Sequence, residues 1–399
     1  MRVPSRRLAG VVVVVITAAL GLVAAGVAGA TRTAPPDHHG DVSSTVAAAR
    51  RDATAASIVA RLSSAQLAGQ RIVYAYAGLT PPSQLLSLIR SGEAAGVIFF
   101  SPNIASQAQL RAVIGQLQAA NAASPVHAPL LMMTDQEGGL VRRLPGAPQL
   151  SEKQIGAAPN ASALAAAAGS GAGRNLASTG LNVNLAPVLD VFRSSGNFID
   201  AYERSYSSNP AVVASLGGAF IAAQQRTAVA ATAKHFPGLG AAGAAQDTDT
   251  GPVTLNVPLS TLRSVDELPY RAAIAAGVKL VMVSWAIYPA LDPRLPAGLS
   301  SAVIDGELRA RLGFGGVTIT DGLGAGALNA FGGFATRGVL AARAGADLLL
   351  CSTTNAAGNT PANGLAALGG LVAALSAGSL PRAAAQQAAA LVIALRLAL

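Results

Sequence analysis

The chain has 399 residues, 51% of them apolar and only 12% charged, so a large core is easily filled and each carboxylate at a strand end carries more information than usual. The net charge of +9 does not point to a nucleic-acid partner: the positive residues are mostly scattered Arg, with no run beyond pairs such as Arg142-Arg143, and no aromatic interleaving, zinc-finger spacing or basic helix accompanies them. One cysteine, Cys351, excludes an intrachain disulfide, and its place after an apolar run suits a buried small hydrophobe.

Arg2, Arg6 and Arg7 precede an apolar stretch from Leu8 to Ala30 that ends in Ala28-Gly29-Ala30, the layout of a secretory signal that is also long enough to span a bilayer. Residues 1–30 therefore read as a signal peptide or an N-terminal membrane anchor. The protein is expected to be exported, to the cell envelope or beyond, with any membrane attachment confined to residues 8–30. Residues 31–57, rich in Ala, Ser, Thr, Pro and Asp, read as a flexible linker.

From residue 58 to 399 short apolar runs alternate with helix-like stretches. The predicted strands are Gly96-Phe100, Leu130-Thr134, Val183-Ala186, Val229-Ala233, Lys279-Val283, Val317-Thr320 and Asp347-Leu350. Between them lie Ser106-Ala123, Ser162-Gly180, Asn209-Arg226, Leu268-Ala276, Ser301-Leu312 and Phe334-Ala344, and an Ala/Leu helix after residue 380 packs on the rest. Continuous apolar strands separated by helices predict a parallel sheet covered by helices. Seven or eight such units without a break favour a single (β/α)₈ TIM-type barrel over a doubly wound sheet. Neither a dinucleotide fingerprint nor a phosphate-binding loop is present, so no nucleotide cofactor is expected.

Four segments place polar residues where predicted strands end, the position of the site in a barrel. They are Thr134-Asp135-Gln136-Glu137-Gly138-Gly139, Tyr202-Glu203-Arg204-Ser205-Tyr206, Lys234-His235-Phe236-Pro237-Gly238 and Thr320-Asp321-Gly322. Asp135 or Asp321 alone could cap a helix. Taken together, Asp135, Arg204, Lys234 and His235 are donors and acceptors suited to sugar hydroxyls. Asp321 is suited to attack or stabilise an oxocarbenium-like centre, kept ionised by nearby cations. His127, in a Pro-flanked loop, reads as structural.

These segments, with Ala186-Pro187-Val188-Leu189-Asp190, Tyr288-Pro289-Ala290-Leu291-Asp292 and Gly316-Val317-Thr318-Ile319-Thr320-Asp321, resemble the family 3 glycoside hydrolases over residues 60–355, in particular their single-domain bacterial β-N-acetylglucosaminidase branch. The resemblance implies a (β/α)₈ barrel, retention through a covalent glycosyl-enzyme, Asp321 as nucleophile, and Asp135, Arg204, Lys234 and His235 around the non-reducing sugar. Its substrates would be cell-wall or chitin-type oligosaccharides ending in β-linked N-acetylglucosamine. The chain departs from the pattern at the acid/base loop: Leu239 replaces one histidine, and Asp247-Thr248-Asp249 replaces an Asp-Ser-His stretch. Asp249, with Asp247 as its like-charged partner, is then the candidate general acid. Trp285, where the family often has a histidine, reads either as an aromatic platform for the sugar or as filler of the barrel mouth. A non-catalytic glycan-binding member of the same fold and a β-glycosidase of different preference, such as a β-glucosidase, are the competing readings.

Overall fold

The computed structural model describes residues 39–399, and Val46–Leu399 form one compact unit. Eight parallel strands build it: β1 (Ile72–Tyr74), β2 (Gly96–Ile98), β3 (Leu131–Thr134), β4 (Val183–Asn184), β5 (Ala230–Phe236), β6 (Leu280–Val283), β7 (Val317–Thr320) and β8 (Leu349–Cys351). Their order in the sheet is β7-β6-β5-β4-β3-β2-β1-β8, with Ile72 opposite Leu349 and Val73 opposite Gly96. A parallel bridge between Ile319 and Leu348 joins β7 to the residue before β8 and closes the ring. The fold is the expected (β/α)₈ barrel.

Side chains alternate along each strand. Val73, Ile98, Leu131, Met133, Met282, Ile319 and Leu350 point inward and fill the barrel, while Tyr74, Val97, Met132, Val281 and Cys351 face the surrounding helices. Cys351 is buried and free, as its sequence setting suggests. The helices begin where the sequence supplies caps. Ser106 accepts from the amide of Gln109 ahead of Gln107–Asn121, and Asn209 accepts from that of Ala211 ahead of Pro210–Gln225, with Pro at the first helical position. Glycine lets two of them approach closely: a methyl on Gly169, in helix Ala161–Ala177, would lie 2.2 Å from the carbonyl oxygen of Phe220. The last helix, Arg382–Ala398, sends Val392 and Leu395 into the inner core, and buried Arg396 donates to the carbonyls of Pro129 and Ala128, both at 2.7 Å.

Three features differ from the sequence reading. The strand Ile72–Tyr74 was not foreseen, because three residues are too few to show a period. Strand β5 runs three residues past the predicted Ala233, so Lys234 and His235 belong to the strand and not to a loop. The expected flexible linker is helical where the structure describes it, over His39–Val59, in keeping with its Ala and Arg content. The export segment and the first residues of that linker lie outside the described residues. Among the described residues no helix is long and apolar enough to cross a membrane.

Candidate active site

The barrel opens at the C-terminal ends of its strands into a cavity of about 230 Å³. That is below the range of about 300–1,000 Å³ usual for drug-sized ligands and suits one ring-sized group. Ile98, Leu185, Met282 and Leu350 line its floor. They come from β2, the end of β4, β6 and β8, one layer of a barrel interior built from alternate strands. The strand-borne charges come from the others: Asp135 and Glu137 follow β3, Lys234 and His235 end β5, and Asp321 follows β7. The loops after β4 and β5 add Arg204 and Asp249.

Asp135, Lys234 and Arg204 are joined through Glu137, which sequence reasoning did not single out. Lys234 Nζ lies 2.8 Å from Asp135 Oδ1 and 2.7 Å from Glu137 Oε1. Arg204 makes a two-pronged bond to the same carboxylate, Nε to Oε2 at 2.8 Å and Nη2 to Oε1 at 2.9 Å. Burial alone would push both acids up. The charges of Lys234 and Arg143 outweigh it at Asp135 and hold that carboxyl well below the usual range, while Arg204 and Lys234 bring Glu137 down to about 2. Lys234 is raised in turn: its burial is outweighed by Asp135 and Glu137. The network therefore stays fully ionised and presents fixed charges to whatever enters.

His235 is oriented from behind. Its Nδ1 lies 2.8 Å from Asp190 Oδ2, so Nδ1 carries a hydrogen toward that carboxylate and Nε2 is turned to Arg204, 3.5 Å away. The other oxygen of Asp190 accepts from the amides of Leu239 at 2.6 Å and His235 at 3.3 Å, which pins the Lys234–Leu239 segment. Leu239, at the position of the missing histidine, is 3% exposed and packs in the core, away from the cavity.

Asp321 Oδ1 accepts from the amide of Gly322 at 2.7 Å. The glycine-rich turn after it is tied down: Leu323 N–H donates to Leu350 O and Gly324 N–H to Ser352 O, both at 2.9 Å. Trp285 explains part of this. Its ring is 1% exposed and does not line the cavity; its Nε1–H donates to Gly322 O at 2.9 Å. It packs so tightly on Gly298 that a methyl there would sit 2.5 Å from the ring. The platform reading is therefore corrected: Trp285 fills the mouth and braces the turn that carries Asp321.

Asp249 borders the cavity and Asp247 does not. Asp247 Oδ1 instead accepts from the Asp249 amide at 2.9 Å, an Asx turn that fixes the loop. Asp249 keeps more than a third of its surface exposed, yet loss of solvent at the mouth, followed by the charges of Asp321 and Asp247, pushes its carboxyl up to about 7. Arg143, also unforeseen, lines the cavity with a buried Nε that has no partner and an Nη2 3.5 Å from Asp135. Among the described residues no group of three or more His, Cys, Asp or Glu is arranged to hold a metal ion.

The sequence pattern of the glycosyl hydrolase family 3 N-terminal domain matches residues 63–395. The chain belongs to glycosyl hydrolase family 3. This family 3 hydrolase is 47% identical to a secreted glycosyl hydrolase from Arthroderma benhamiae, over 78% of its own length and 87% of the relative's. It is 35% identical to a β-hexosaminidase from Xanthomonas euvesicatoria, over 69% of its length and 81% of that protein's. Among solved structures it resembles a family 3 β-N-acetylglucosaminidase from Paenibacillus sp. with a TM-score of 0.78 and 35% identity, covering 84% of this chain and 62% of that one.

Proposed function

We infer that this hydrolase is a retaining, exo-acting β-N-acetylhexosaminidase that removes terminal β-linked N-acetylglucosamine from cell-wall or chitin-type oligosaccharides. One observation carries the reading: Asp321 and Asp249 border the same ring-sized cavity as the ionised set Asp135, Glu137, Lys234 and Arg204. The ionised set and His235 hold the hydroxyls of the terminal sugar. Asp321 attacks the anomeric carbon as protonated Asp249 gives its proton to the departing oxygen, leaving a glycosyl ester on Asp321. Asp249, now a carboxylate, takes a proton from water as that water displaces Asp321 and restores the β configuration. Asp247 supports this by raising Asp249 with its like charge and by holding its amide. The names of the Xanthomonas and Paenibacillus relatives support the sugar preference. Export through residues 1–30 is part of the proposal and accords with the description of the Arthroderma relative as secreted.

The test is the Asp321→Asn variant on 4-nitrophenyl β-N-acetylglucosaminide. Turnover should fall by at least three orders of magnitude with the fold intact, an estimate typical for loss of a nucleophile acting within a catalytic unit. Wild type should release the β anomer first by NMR, and an α first product would end the retaining reading. A glycan-binding member without turnover would bind the sugar unchanged and release no nitrophenol; the raised carboxyl of Asp249 on the same cavity as Asp321 speaks for turnover.

A further inference from the structure

The cations of the barrel are sorted by end. At the mouth, Arg143, Lys153, Arg193, Arg204 and Lys234 each pair with a carboxylate. At the opposite end, where helices give way to strands, Arg90, Arg174, Arg226, Lys279 and Arg343 are exposed. None of their side chains makes an ion pair or a hydrogen bond among the described residues. Three of them form a continuous arc ahead of β4, β5 and β6. A methyl on Gly173, beside Arg174, would collide with Thr227, beside Arg226, and the amide of Lys279 donates to Gln225 Oε1 at 3.0 Å. Arg51, on the helix that precedes the barrel, borders the same groove as Lys279 and extends the arc. The acids near this end are Asp52, Glu93 and Asp305, which also lack partners, and Asp347, which is buried against Arg309. The face therefore carries a surplus of free positive charge.

We propose that this end of the barrel docks on an anionic lipid bilayer and holds the active-site mouth turned away from it. Helix ends account for some of the charges singly: Arg90, Arg174 and Arg343 lie in last turns and Arg226 follows one, where a cation offsets the helix dipole. That account does not cover Lys279, just ahead of β6, or Arg51, and it leaves the surplus on the face unneutralised. The cations also spread round the rim. Arg90 and Arg343 lead into β2 and β8, across the barrel from Arg226 ahead of β5. Such a spread suits a charged plane, whereas one polyanionic strand would need the cations in a line. Each Lys or Arg held near an anionic bilayer strengthens partitioning about fivefold, and salt screens the effect. The contact adds to the attachment expected of residues 8–30. It lies at the end remote from the cavity and goes beyond the hydrolase reading.

The experiment sediments the full chain with vesicles of phosphatidylcholine, alone or with an equal part of phosphatidylglycerol. The neutral vesicles account for any insertion of residues 8–30. Wild type should prefer the anionic vesicles by at least about tenfold at low salt, as three net charges on the face require. The preference should vanish near about 1 M NaCl, where the Debye length is about 3 Å. In the triple variant Arg174→Gln/Arg226→Gln/Lys279→Gln the remaining cations are balanced by the acids, so the preference should fall to within about twofold of none. Arg294→Gln, an exposed cation on a mouth-side loop, should keep it. Equal binding of wild type to both vesicles overturns the proposal, as does a preference that survives in the triple variant. Retention of soluble polyphosphate without any preference between the vesicles overturns it in favour of a polyanionic strand. The wild-type salt series needs no variant and so does not depend on whether the triple variant folds. Hydrolysis of the soluble nitrophenyl glycoside should be unchanged in the triple variant, and none of the vesicle results bears on the hexosaminidase reading.

Discussion

The backbone carbonyl of Asp249 accepts a hydrogen bond from the amide of Gly326 at 2.9 Å. A second bond, from the amide of Ala327 to the carbonyl of Thr248 at 3.0 Å, lies beside it. The loop with the candidate acid is thus docked on the loop that follows the candidate nucleophile, and the two carboxylates are positioned through one shared contact.

That contact needs a glycine. A methyl on Gly326 would meet the carbonyl carbon of Thr250 at 2.5 Å and the carbonyl oxygen of Asp249 at 2.9 Å. Gly326→Ala should push the acid loop away, at a cost of about 1–3 kcal/mol in stability from overpacking. Because general-acid help matters most for poor leaving groups, kcat on N,N′-diacetylchitobiose should fall about tenfold or more, and on the nitrophenyl glycoside far less. An equal fall on both substrates would separate the loop from proton transfer.

The raised carboxyl of Asp249 sets a pH dependence. As the general acid it must be protonated, so kcat/KM should decline as pH rises through about 7. The same sign applies to stability: an acid raised by folding favours the folded state below its ordinary range, and that contribution is lost as pH rises through about 7. Asp247→Asn keeps the oxygen that holds the Asp249 amide but removes a like charge. Its alkaline limb should therefore move to lower pH, with the loop unchanged. A limb that stays in place, or moves up, would assign it to another group.

Glu137 is a stability element as well as a site residue. Its side chain is 2% exposed and bonds both Lys234 and Arg204. Glu137→Ala leaves buried Lys234 and half-buried Arg204 short of a partner, a change that typically costs about 3–5 kcal/mol, measurable by urea unfolding. Folding lowers this carboxyl from 4.5 to about 2, so its stabilisation is present above 4.5 and is lost as pH falls toward 2. Acid unfolding of wild type should steepen in that window, and Glu137→Gln should show a shallower slope there.

Trp285→Phe distinguishes a brace from a platform. The bond to Gly322 is lost together with the part of the indole packed on Gly298, so stability should fall by about 2–4 kcal/mol, one hydrogen bond plus a cavity. The turn carrying Asp321 loosens, so kcat should fall several-fold, while KM should hold because the ring does not touch the cavity. A raised KM with kcat preserved would restore the stacking role.

The barrel was legible because its strands are buried on both faces and read as unbroken apolar runs. Site residues were legible where a charge ends such a run, as at Asp135 and Asp321. Glu137 was missed although a signal existed: alternation along an extended chain puts residues 135 and 137 on one side and Gln136 on the other, and Gln136 is indeed turned away from the cavity, donating to the carbonyls of Leu144 and Ala147. Asp190 also ends an apolar run, but nothing in the chain says that its partner is His235, 45 residues on. Trp285 was open in the sequence because an indole at a mouth serves stacking or packing equally; its burial away from the cavity and its bond to Gly322 decide between them.

The floor and the ion network have separate owners. Leu185 or Met282 can change size without disturbing any bond of Lys234 or Arg204, because those bonds run between other strands and loops. The seat for the ring is therefore adjustable on its own, and variants remodelled only at those floor positions should drift in which sugar they accept well before they lose the ability to cleave one.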